Sequence, residues 1–381
     1  MNAAEWEAVR ARIATLGREP DAADIADALR WCGQVVSDAS VLAVARALHR
    51  DSVGAGRLEP LLALPGVTDV LVNGPHDVYV DTGEGLRKVE IRFDSDEDVR
   101  RLAVRLAASV GRRLDDASPF VDARMADGTR VHAILGGLAD AGTCLSLRIP
   151  SRSRLSLGDW VASGTCHPEV AVVLERMVAA KAAFLVSGGT GSGKTTLLAS
   201  LLGLVPPTER IVVVEDSREL APDHPHCLRL EGRVANAEGA GAITMTQLVR
   251  QALRMRPDRI VVGEVRGAEL VDLLIALNTG HEGGCGTVHA NTPESVPARL
   301  EALAALGGLG REAAHSQIAA ALRAVVHLVR DVRGRRVSAV AVLGRSPGGF
   351  VEARPALAVS SDGRLRRLGG LTELETILGT T

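Results

Sequence analysis

The sequence predicts an α/β protein with two domains, the second of which is built on a parallel sheet. Three observations carry this prediction. The chain has 381 residues, which is more than one compact core usually holds. Strand-like apolar runs alternate with helical patterns after residue 168, which is typical of a parallel sheet. Between residues 51 and 150, short strands and turn signals surround a single helix, as in an α+β domain.

Composition shifts divide the chain into four predicted segments. These are a helical N-terminal extension (1–50), an α+β domain (51–150), a linker (151–168) and the parallel-sheet domain (169–381). The linker begins with a Ser/Arg-rich stretch from Pro150 to Leu155. In the extension, apolar residues at helical spacing predict short amphipathic helices on either side of a break at Glu19-Pro20-Asp21. The apolar residues are Val9, Ile13 and Leu16 before the break, and Ile25, Ala28 and Leu29 after it.

The elements of the α+β domain are predicted largely from capping and turn residues. Ser95, with Asp98 three residues later, predicts the start of a helix that runs to about Val110. Asp127-Gly128 between two strand-like runs predicts a hairpin. The predicted strands are 69–73, 78–80, one that ends near Phe93, 120–124, 129–134 and 143–149.

The second domain is predicted to alternate strands and helices, so a ligand is expected at the carboxyl ends of its strands. A helix at about 168–180 opens the domain, and two helices after about 293 precede a strand-like tail from Ala324. The predicted strands are 184–186, 210–214, 259–262 and 285–289, and the helices between them are 195–204, 244–254 and 268–278.

Bulk composition argues against several classes of protein. A net charge of −2 and an aromatic content of 2% do not favour a nucleic-acid partner. The five scattered cysteines have no C-x-x-C spacing, which argues against a zinc module and for reduced thiols in the cytosol. We expect no signal peptide and no membrane insertion, because no apolar run reaches the length of a span. Work at a membrane would require partners.

A phosphate-binding loop follows the first strand of the second domain. Residues 188–195 read GGTGSGKT, which fits G-x-x-x-x-G-K-[ST], with the required strand before it and helix after it. Glycines let backbone N–H groups wrap a phosphate chain at a helix N-terminus. We expect Lys194 to reach the β- and γ-phosphates of ATP and the Thr195 hydroxyl to ligate Mg²⁺. The expected nucleotide-binding residues are Gly188, Gly189, Thr190, Gly191, Ser192, Gly193, Lys194, Thr195 and Thr196.

Two further strands end in carboxylates. The strand 211–214 runs into Glu215-Asp216, and Glu215 is the candidate base that orients the attacking water. The alternative is an acidic pair at the start of a helix, where acids favour the positive helix end. The strand 260–262 ends in Gly263-Glu264, a Walker B pattern with Glu in place of Asp. The longer side chain predicts contact with Mg²⁺ through a water.

Two histidines, His281 and His289, flank a Gly-rich turn and the strand that follows it. A single histidine is more often a satisfied structural group than a catalyst. Because His289 ends a strand of the sheet that carries both phosphate motifs, it is the candidate sensor of the γ-phosphate.

These motifs together resemble the Walker A, Asp, Walker B and His boxes of the secretion ATPase superfamily, which drives type II and type IV secretion and type IV pilus assembly. In this chain the Walker A box is 188–195 and the Asp box is 214–216. The Walker B box is 253–258 with 262–266, and the His box is 287–291. Residues 69–80, 120–131 and 145–149 look like the N-terminal domain of the tight-adherence (Flp) pilus ATPases, the CpaF/TadA group. The resemblance covers about residues 60–330, and the tetracysteine zinc insert common in type II secretion ATPases is absent.

The resemblance implies a RecA-like P-loop NTPase domain and a homo-hexameric ring, with ATP between the two domains of a subunit. Arg124, Arg130 and Arg148 match N-terminal positions that would meet the γ-phosphate as arginine fingers, and a solvated surface position is the alternative for each. The implied function is an ATPase motor that moves its domains across the linker and pushes on an inner-membrane platform protein. It would assemble a pilus or export a substrate from the cytoplasmic face of the membrane.

Two alternatives stay open. A motor for conjugal DNA transfer or a helicase-like translocase would use the same motifs and would be stimulated by DNA. A nucleotide-dependent scaffold or switch would turn over little and would lack a key lysine or carboxylate. Since Lys194, Glu215 and Glu264 are all present, this alternative ranks last.

Overall fold

The computed structural model describes residues 3–16, 20–52, 54–83, 85–150, 155–233, 235 and 240–379. The chain divides into two compact units, Met1–Arg152 and Ser153–Thr381. The elements of the first unit are α1 (Ala3–Ala14), α2 (Ala22–Trp31), α3 (Asp38–Ser52), α4 (Glu59–Leu62), β1 (Asp69–Asn73), β2 (Asp77–Asp81), β3 (Leu86–Val89), α5 (Asp96–Ser109), β4 (Phe120–Arg124), β5 (Arg130–Ile134) and β6 (Cys144–Arg148).

Helices α1 to α3 share a small apolar cluster at the start of the first unit. Asp21 caps α2 in a reciprocal capping box with Asp24, which satisfies backbone N–H groups that a helix start leaves open. Leu16, predicted on the same face as Val9 and Ile13, lies beyond the end of α1 and is exposed. Glu19 of the predicted break lies outside the described residues. The buried members of the cluster are Val9, Ile13, Ile25, Ala28, Leu29 and Val44.

Among the described residues of the first unit, the strands form one antiparallel sheet in the order β3-β2-β1-β6-β5-β4. The Ser95 hydroxyl caps α5 by accepting the Asp98 N–H. The predicted hairpin at Asp127-Gly128 forms between β4 and β5, with Gly128 at φ +91°. The strand predicted to end near Phe93 ends at Val89, because the Phe93 N–H donates to the Pro75 carbonyl instead of joining the ladder.

The second unit carries a mixed sheet. Its elements are α6 (Leu157–Ala162), α7 (Pro168–Ala179), β7 (Phe184–Gly188), α8 (Lys194–Leu202), β8 (Ile211–Glu215), β9 (Cys227–Glu231), α9 (Met245–Ala252), β10 (Arg259–Val262), α10 (Glu269–Asn278), β11 (Cys285–His289), α11 (Val296–Leu306), α12 (Arg311–Ala321), β12 (Ala324–Asp331), β13 (Gly334–Arg345), β14 (Val351–Val359), β15 (Leu365–Arg367) and α13 (Leu371–Ile377). The strand order is β15-β14-β13-β12-β7-β11-β10-β8-β9, parallel from β12 to β9 and antiparallel from β12 to β15.

Helices cover both faces of this sheet, which explains why its central strands read as continuous apolar runs. Neighbouring residues of β7 enter opposite cores: Val186 packs with α7 and α8, and Leu185 packs with α10, α11 and α12. The fold prediction of a smaller α+β unit followed by an α/β unit is confirmed. Four elements were not predicted: α4 in the first unit, α6, which lies inside the predicted linker, the strand β9, and the final helix α13.

Candidate active site

The loop after β7 is shaped by backbone constraints at its glycines. Gly188 has φ +147°, and a Cβ there would stand 2.4 Å from the Leu328 carbonyl oxygen on the neighbouring strand. Gly193 has φ +98° and is the residue that precedes α8. Residues that carry a side chain rarely adopt these backbone φ values, so the loop requires glycine at both positions. The loop thus turns tightly from a buried strand into the N-terminus of a helix, which favours anions.

Lys194 is folded back into this loop. Its Nζ donates to the Gly188 carbonyl at 3.1 Å and to the Gly189 carbonyl at 2.9 Å. The side chain is buried, and this burial lowers the pKa of the ammonium. The ammonium therefore points toward the space that the loop encloses, with only neutral carbonyls and an imidazole as hydrogen-bond partners among the described residues.

The strand register brings His289 and Glu264 to the same edge. His289 is level with Gly188 across the β7–β11 pair, and Glu264 follows the end of β10. His289 Nδ1 lies 3.5 Å from Lys194 Nζ, and His289 Nε2 lies 2.8 Å from a Glu264 carboxylate oxygen. Burial, followed by the Lys194 charge, lowers the pKa of His289. His289 Nδ1 can accept from Lys194, whereas the close approach of Nε2 to Glu264 is an electrostatic contact that leaves this Glu264 oxygen without a hydrogen-bond partner among the described residues.

Arg266 extends this network on the far side of Glu264. Its guanidinium pairs with Glu264 and also with Asp216 at 3.1 Å. Burial alone would raise the pKa of Glu264, but Arg266, His289 and Lys194 outweigh it and hold that pKa below its usual range. Glu264 is therefore charged at neutral pH.

Glu215 lies outside this network. Its side chain is 3% exposed and packs against Gly263, where a Cβ would stand 2.4 Å from Glu215 Cγ. One carboxylate oxygen accepts the N–H groups of Glu219 and Leu220, both at 2.9 Å, and the other has no hydrogen-bond partner among the described residues. Burial raises the pKa of Glu215 to about 7. The two predicted carboxylates thus differ in charge near neutral pH.

The donor set at the loop fits a magnesium ion bound through a nucleotide. The Thr195 hydroxyl and the Glu264 carboxylate are hard oxygen ligands, and Mg²⁺ in such sites takes one or two protein oxygens with phosphates and waters. Over the part of the chain that the structure describes, no group of three or more His, Cys, Asp or Glu side chains is set to hold a metal by itself. The ion would therefore depend on the nucleotide.

The remaining predicted residues separate into two groups. Thr190 and Thr196 lie in the loop and the first turn of α8, and the buried Ser192 bonds to the Gly189 carbonyl at 2.9 Å. Arg124, Arg130 and Arg148 belong to the first unit, where the β4–β5 and β5–β6 registers place them side by side. His281 joins neither group, because its N–H and ring bond to the Ala276 carbonyl at the end of α10.

The structure also brings to the loop residues that sequence reasoning missed. The His327 ring is 3% exposed and bonds through Nδ1 to the Ser187 hydroxyl at 2.8 Å. Arg330 and Arg335 stand next to Gly191 and Gly193. All three missed residues belong to β12 and β13, whose pairing beside β7 spans about 140 residues of chain and leaves no local signal.

A parallel α/β unit with this loop, a buried lysine and a carboxylate–histidine pair at the strand ends defines a P-loop NTPase. The family model described as "Type II/IV secretion system protein" matches residues 51–359. The chain belongs to this family, and it is a P-loop ATPase of that family.

Similar proteins agree with this assignment. A Mycobacterium tuberculosis protein, whose name proposes a role in conjugal transfer, is 57% identical over 321 residues, covering 82% of this chain and 91% of that protein. The type IV secretion system protein PtlH of Bordetella pertussis is 33% identical over 271 residues, covering 64% of this chain and 78% of PtlH. The solved structure of the pilus retraction motor PilT with bound ADP has the same fold, with a TM-score of 0.54 at 20% identity over 84% of each chain.

No helix in the described residues has the length and apolar character needed to cross a membrane.

The raised pKa of Glu215 predicts a pH-dependent cost in stability. Its pKa is about 7 in the folded protein against 4.5 as the ordinary value, so between these values the unfolded chain loses the proton and the folded chain keeps it. Stability from this group therefore falls as pH rises from 4.5 to 7, by on the order of 3 kcal/mol. We expect the Tm of Glu215→Gln, relative to wild type, to rise between pH 5 and pH 8 in nucleotide-free thermal unfolding. The exposed Glu282→Gln serves as control, and a pH-independent difference for Glu215→Gln would contradict the prediction.

Proposed function

We propose that this protein is a hexameric motor that hydrolyses ATP and drives a membrane-bound secretion or pilus machine. The observation that carries the proposal is the contact chain from Lys194 through His289 to Glu264, at 3.5 and 2.8 Å, beside the phosphate loop. It supplies a cation for the phosphates, a charged carboxylate, and a ring that touches both. A nucleotide switch without turnover has no need of the last two.

The roles of the residues follow from their partners. We propose that phosphate oxygens replace the Gly188 and Gly189 carbonyls as acceptors for Lys194, while the loop N–H groups bind the rest of the phosphate chain. His289 then loses its contact with Lys194, so the presence of the γ-phosphate is transmitted to Glu264. Water attacks the γ-phosphorus as the bond to the β-phosphate oxygen breaks, and the water's proton passes to a carboxylate.

Two carboxylates divide the acid–base work in this proposal. Glu264, which stays charged, would orient the water, and Glu264 and the Thr195 hydroxyl are the residues that would hold Mg²⁺. Bound Mg²⁺ would neutralise charge on the phosphates. Glu215 is the proposed base: its pKa of about 7 suits proton transfer at neutral pH, and one of its oxygens is available. Because Glu215 is buried, this role requires the water to enter beside Gly263.

The ring and the arginines are further parts of the proposal. Arg124, Arg130 and Arg148 line up across three neighbouring strands, so they present guanidinium groups from one region of the sheet. We propose that they complete the ATP site in the assembled ring as arginine fingers, and that hydrolysis moves the two units relative to each other across residues 151–168. Membership of the tight-adherence subgroup stays a prediction, since the relatives described above carry names from conjugal transfer and type IV secretion.

A second candidate function is a motor for conjugal DNA transfer. It is favoured by the name of the 57% identical Mycobacterium tuberculosis relative. The chain's net charge of −2 weighs against direct DNA binding, because proteins that bind the DNA backbone usually carry a basic face.

Replacing Lys194 should abolish turnover without unfolding the protein. Lys194→Ala removes the ammonium that contacts the phosphates, so we expect phosphate release to fall by at least about 100-fold. The matched control is Lys181→Ala. Lys181 lies just before β7, at the opposite end of that strand from the loop, and pairs with Glu209. An unchanged Tm shows that the variant is folded. Wild-type turnover by Lys194→Ala would contradict the proposed site.

Replacing Glu264 should separate binding from hydrolysis. Glu264→Gln keeps the shape of the side chain but removes its charge, so the water loses its orienting carboxylate. We expect ATP binding near wild type and hydrolysis slower by about 100-fold, measured by nucleotide titration and single-turnover phosphate release. The exposed Glu282→Gln should match wild type in both. Hydrolysis at the wild-type rate in Glu264→Gln would remove Glu264 from the mechanism.

The two candidate functions differ in what stimulates the ATPase. We expect the rate to rise with the detergent-solubilised platform protein of the chain's own secretion machine and to stay unchanged with single- or double-stranded DNA at low salt. Stimulation by DNA that declines steeply with added salt would instead support conjugal transfer. Lys194→Ala in each arm controls for contaminating ATPases.

A further inference from the structure

The hairpin between β12 and β13 brings two arginines to the phosphate loop. Arg330 and Arg335 are register partners across the hairpin, and both are exposed. The Arg330 guanidinium comes within 3.2 Å of where a Cβ on Gly191 would stand, and Arg335 Cδ within 3.7 Å of the equivalent point on Gly193. The absence of side chains on these two glycines lets both arginines lie directly against the loop.

Among the described residues, no acidic side chain forms an ion pair with Arg330 or Arg335. Neither guanidinium makes a hydrogen bond or ion pair with any described residue, whereas the side chains of the other arginines of the hairpin do. Arg336 pairs with Asp331, and Arg333 donates to the Ser361 carbonyl at 2.8 Å. Two guanidinium groups without a partner among the described residues therefore lie beside the phosphate loop, next to the positive N-terminus of α8. Such an accumulation of positive charge is stabilised by an anion.

The strand order places these arginines on the side of the phosphate loop opposite His289 and Glu264. In the sheet, β11 and β10 lie on one side of β7; His289 is the last residue of β11, and Glu264 follows the end of β10. On the other side of β7 lies β12, which contains Arg330. Gly188 is level with His289 on the first side and with Leu328, two residues before Arg330, on the second. A γ-phosphate held by Lys194 and His289 therefore leaves the rest of the phosphate chain to run toward the hairpin.

We infer that Arg330 and Arg335 bind the α- and β-phosphates of the nucleotide, at the flank of the loop opposite His289 and Glu264. The inference rests on the proposed ATPase function and adds a second, purely binding, flank to its site. Guanidinium groups suit this role because their planar donors match phosphate oxygens. The two phosphates occur in both ATP and ADP, so the arginines stabilise substrate and product equally.

Equal stabilisation predicts a specific kinetic pattern. An interaction made alike in the ground state and the transition state changes KM and leaves kcat unaltered. Arg330→Ala and Arg335→Ala should each raise the Kd of ATP and of ADP by about tenfold, since charge-assisted hydrogen bonds of ordinary strength are lost. The kcat should stay within about twofold of wild type. Arg→Lys at either position should recover part of the affinity through charge alone.

The experiment titrates the full-length protein with ATP and with ADP by calorimetry, and measures steady-state KM and kcat, at two salt concentrations. Arg333→Ala is the matched control from the same hairpin and should bind like wild type, because its guanidinium is held by Ser361. The affinity of Arg330→Ala and Arg335→Ala should fall less steeply with salt than that of wild type. Arg330→Glu is a second variant, expected to weaken both nucleotides further than Arg330→Ala.

Three results would overturn the inference. Wild-type affinity in both alanine variants, together with lost turnover in Lys194→Ala, would remove the arginines and leave the proposed function standing. Weakened ATP binding with unchanged ADP binding and a lower kcat would place the arginines at the γ-phosphate instead. Failure of the wild-type protein to bind either nucleotide would overturn the arginine inference together with the proposed function.

Discussion

The central position of β7 is the constraint on which the rest of the site depends. The strand is buried on both faces and paired in parallel with β11 and β12, so it ends at one fixed level of the sheet. Gly188, its last residue, approaches the Leu328 carbonyl too closely for any side chain. The chain must therefore leave the sheet at this point and enter α8 within five residues. Lys194 stands at the start of that helix, where its ammonium contacts the Gly188 and Gly189 carbonyls and the ring of His289 at the end of the neighbouring strand.

Burial raises the pKa of both carboxylates of the site, but the net shifts of the two pKa values are opposite because their neighbours differ. Glu264 faces Arg266, His289 and Lys194, and these positive or polar groups outweigh the cost of burying its charge. Glu215 is buried more deeply, and its two backbone N–H donors do not offset the loss of water. Environments that push two neighbouring acids apart in pKa are typical of sites that use one charged and one proton-accepting carboxylate. The buried Glu215 carboxylate also accepts the N–H groups of Glu219 and Leu220 after β8. One side chain therefore has both a structural role and a proposed chemical role.

Much of the fold could be read from the sequence because its signals are local. Turn chemistry at Asp127-Gly128, the cap at Ser95 and the continuous apolar runs of the parallel strands each depend on residues a few positions apart. That the loop, Glu264 and His289 lie at one edge of the sheet could be predicted for the same reason, since each of them follows or ends a strand. The strand β9 was missed because it lies at the sheet edge, where its residues are only partly buried. His327, Arg330 and Arg335 reach the loop only through the pairing of β12 with β7, and such a contact between distant segments has no local pattern.

The flanks of the loop differ in the chemistry that they offer, and this difference bears on how a motor cycles. On the flank of β11 and β10, each group contacts another titratable group, so a change at the γ-phosphate alters a whole chain of partners. On the flank of β12, the arginines are exposed and make no such contacts with the described residues, so they respond only to the presence of an anion. Loss of the γ-phosphate would then change the first flank while the second keeps its hold on the product. In the proposed cycle, disturbing the second flank would speed the release of ADP, and a hairpin with exposed arginines is a place where a neighbouring subunit or partner could do so.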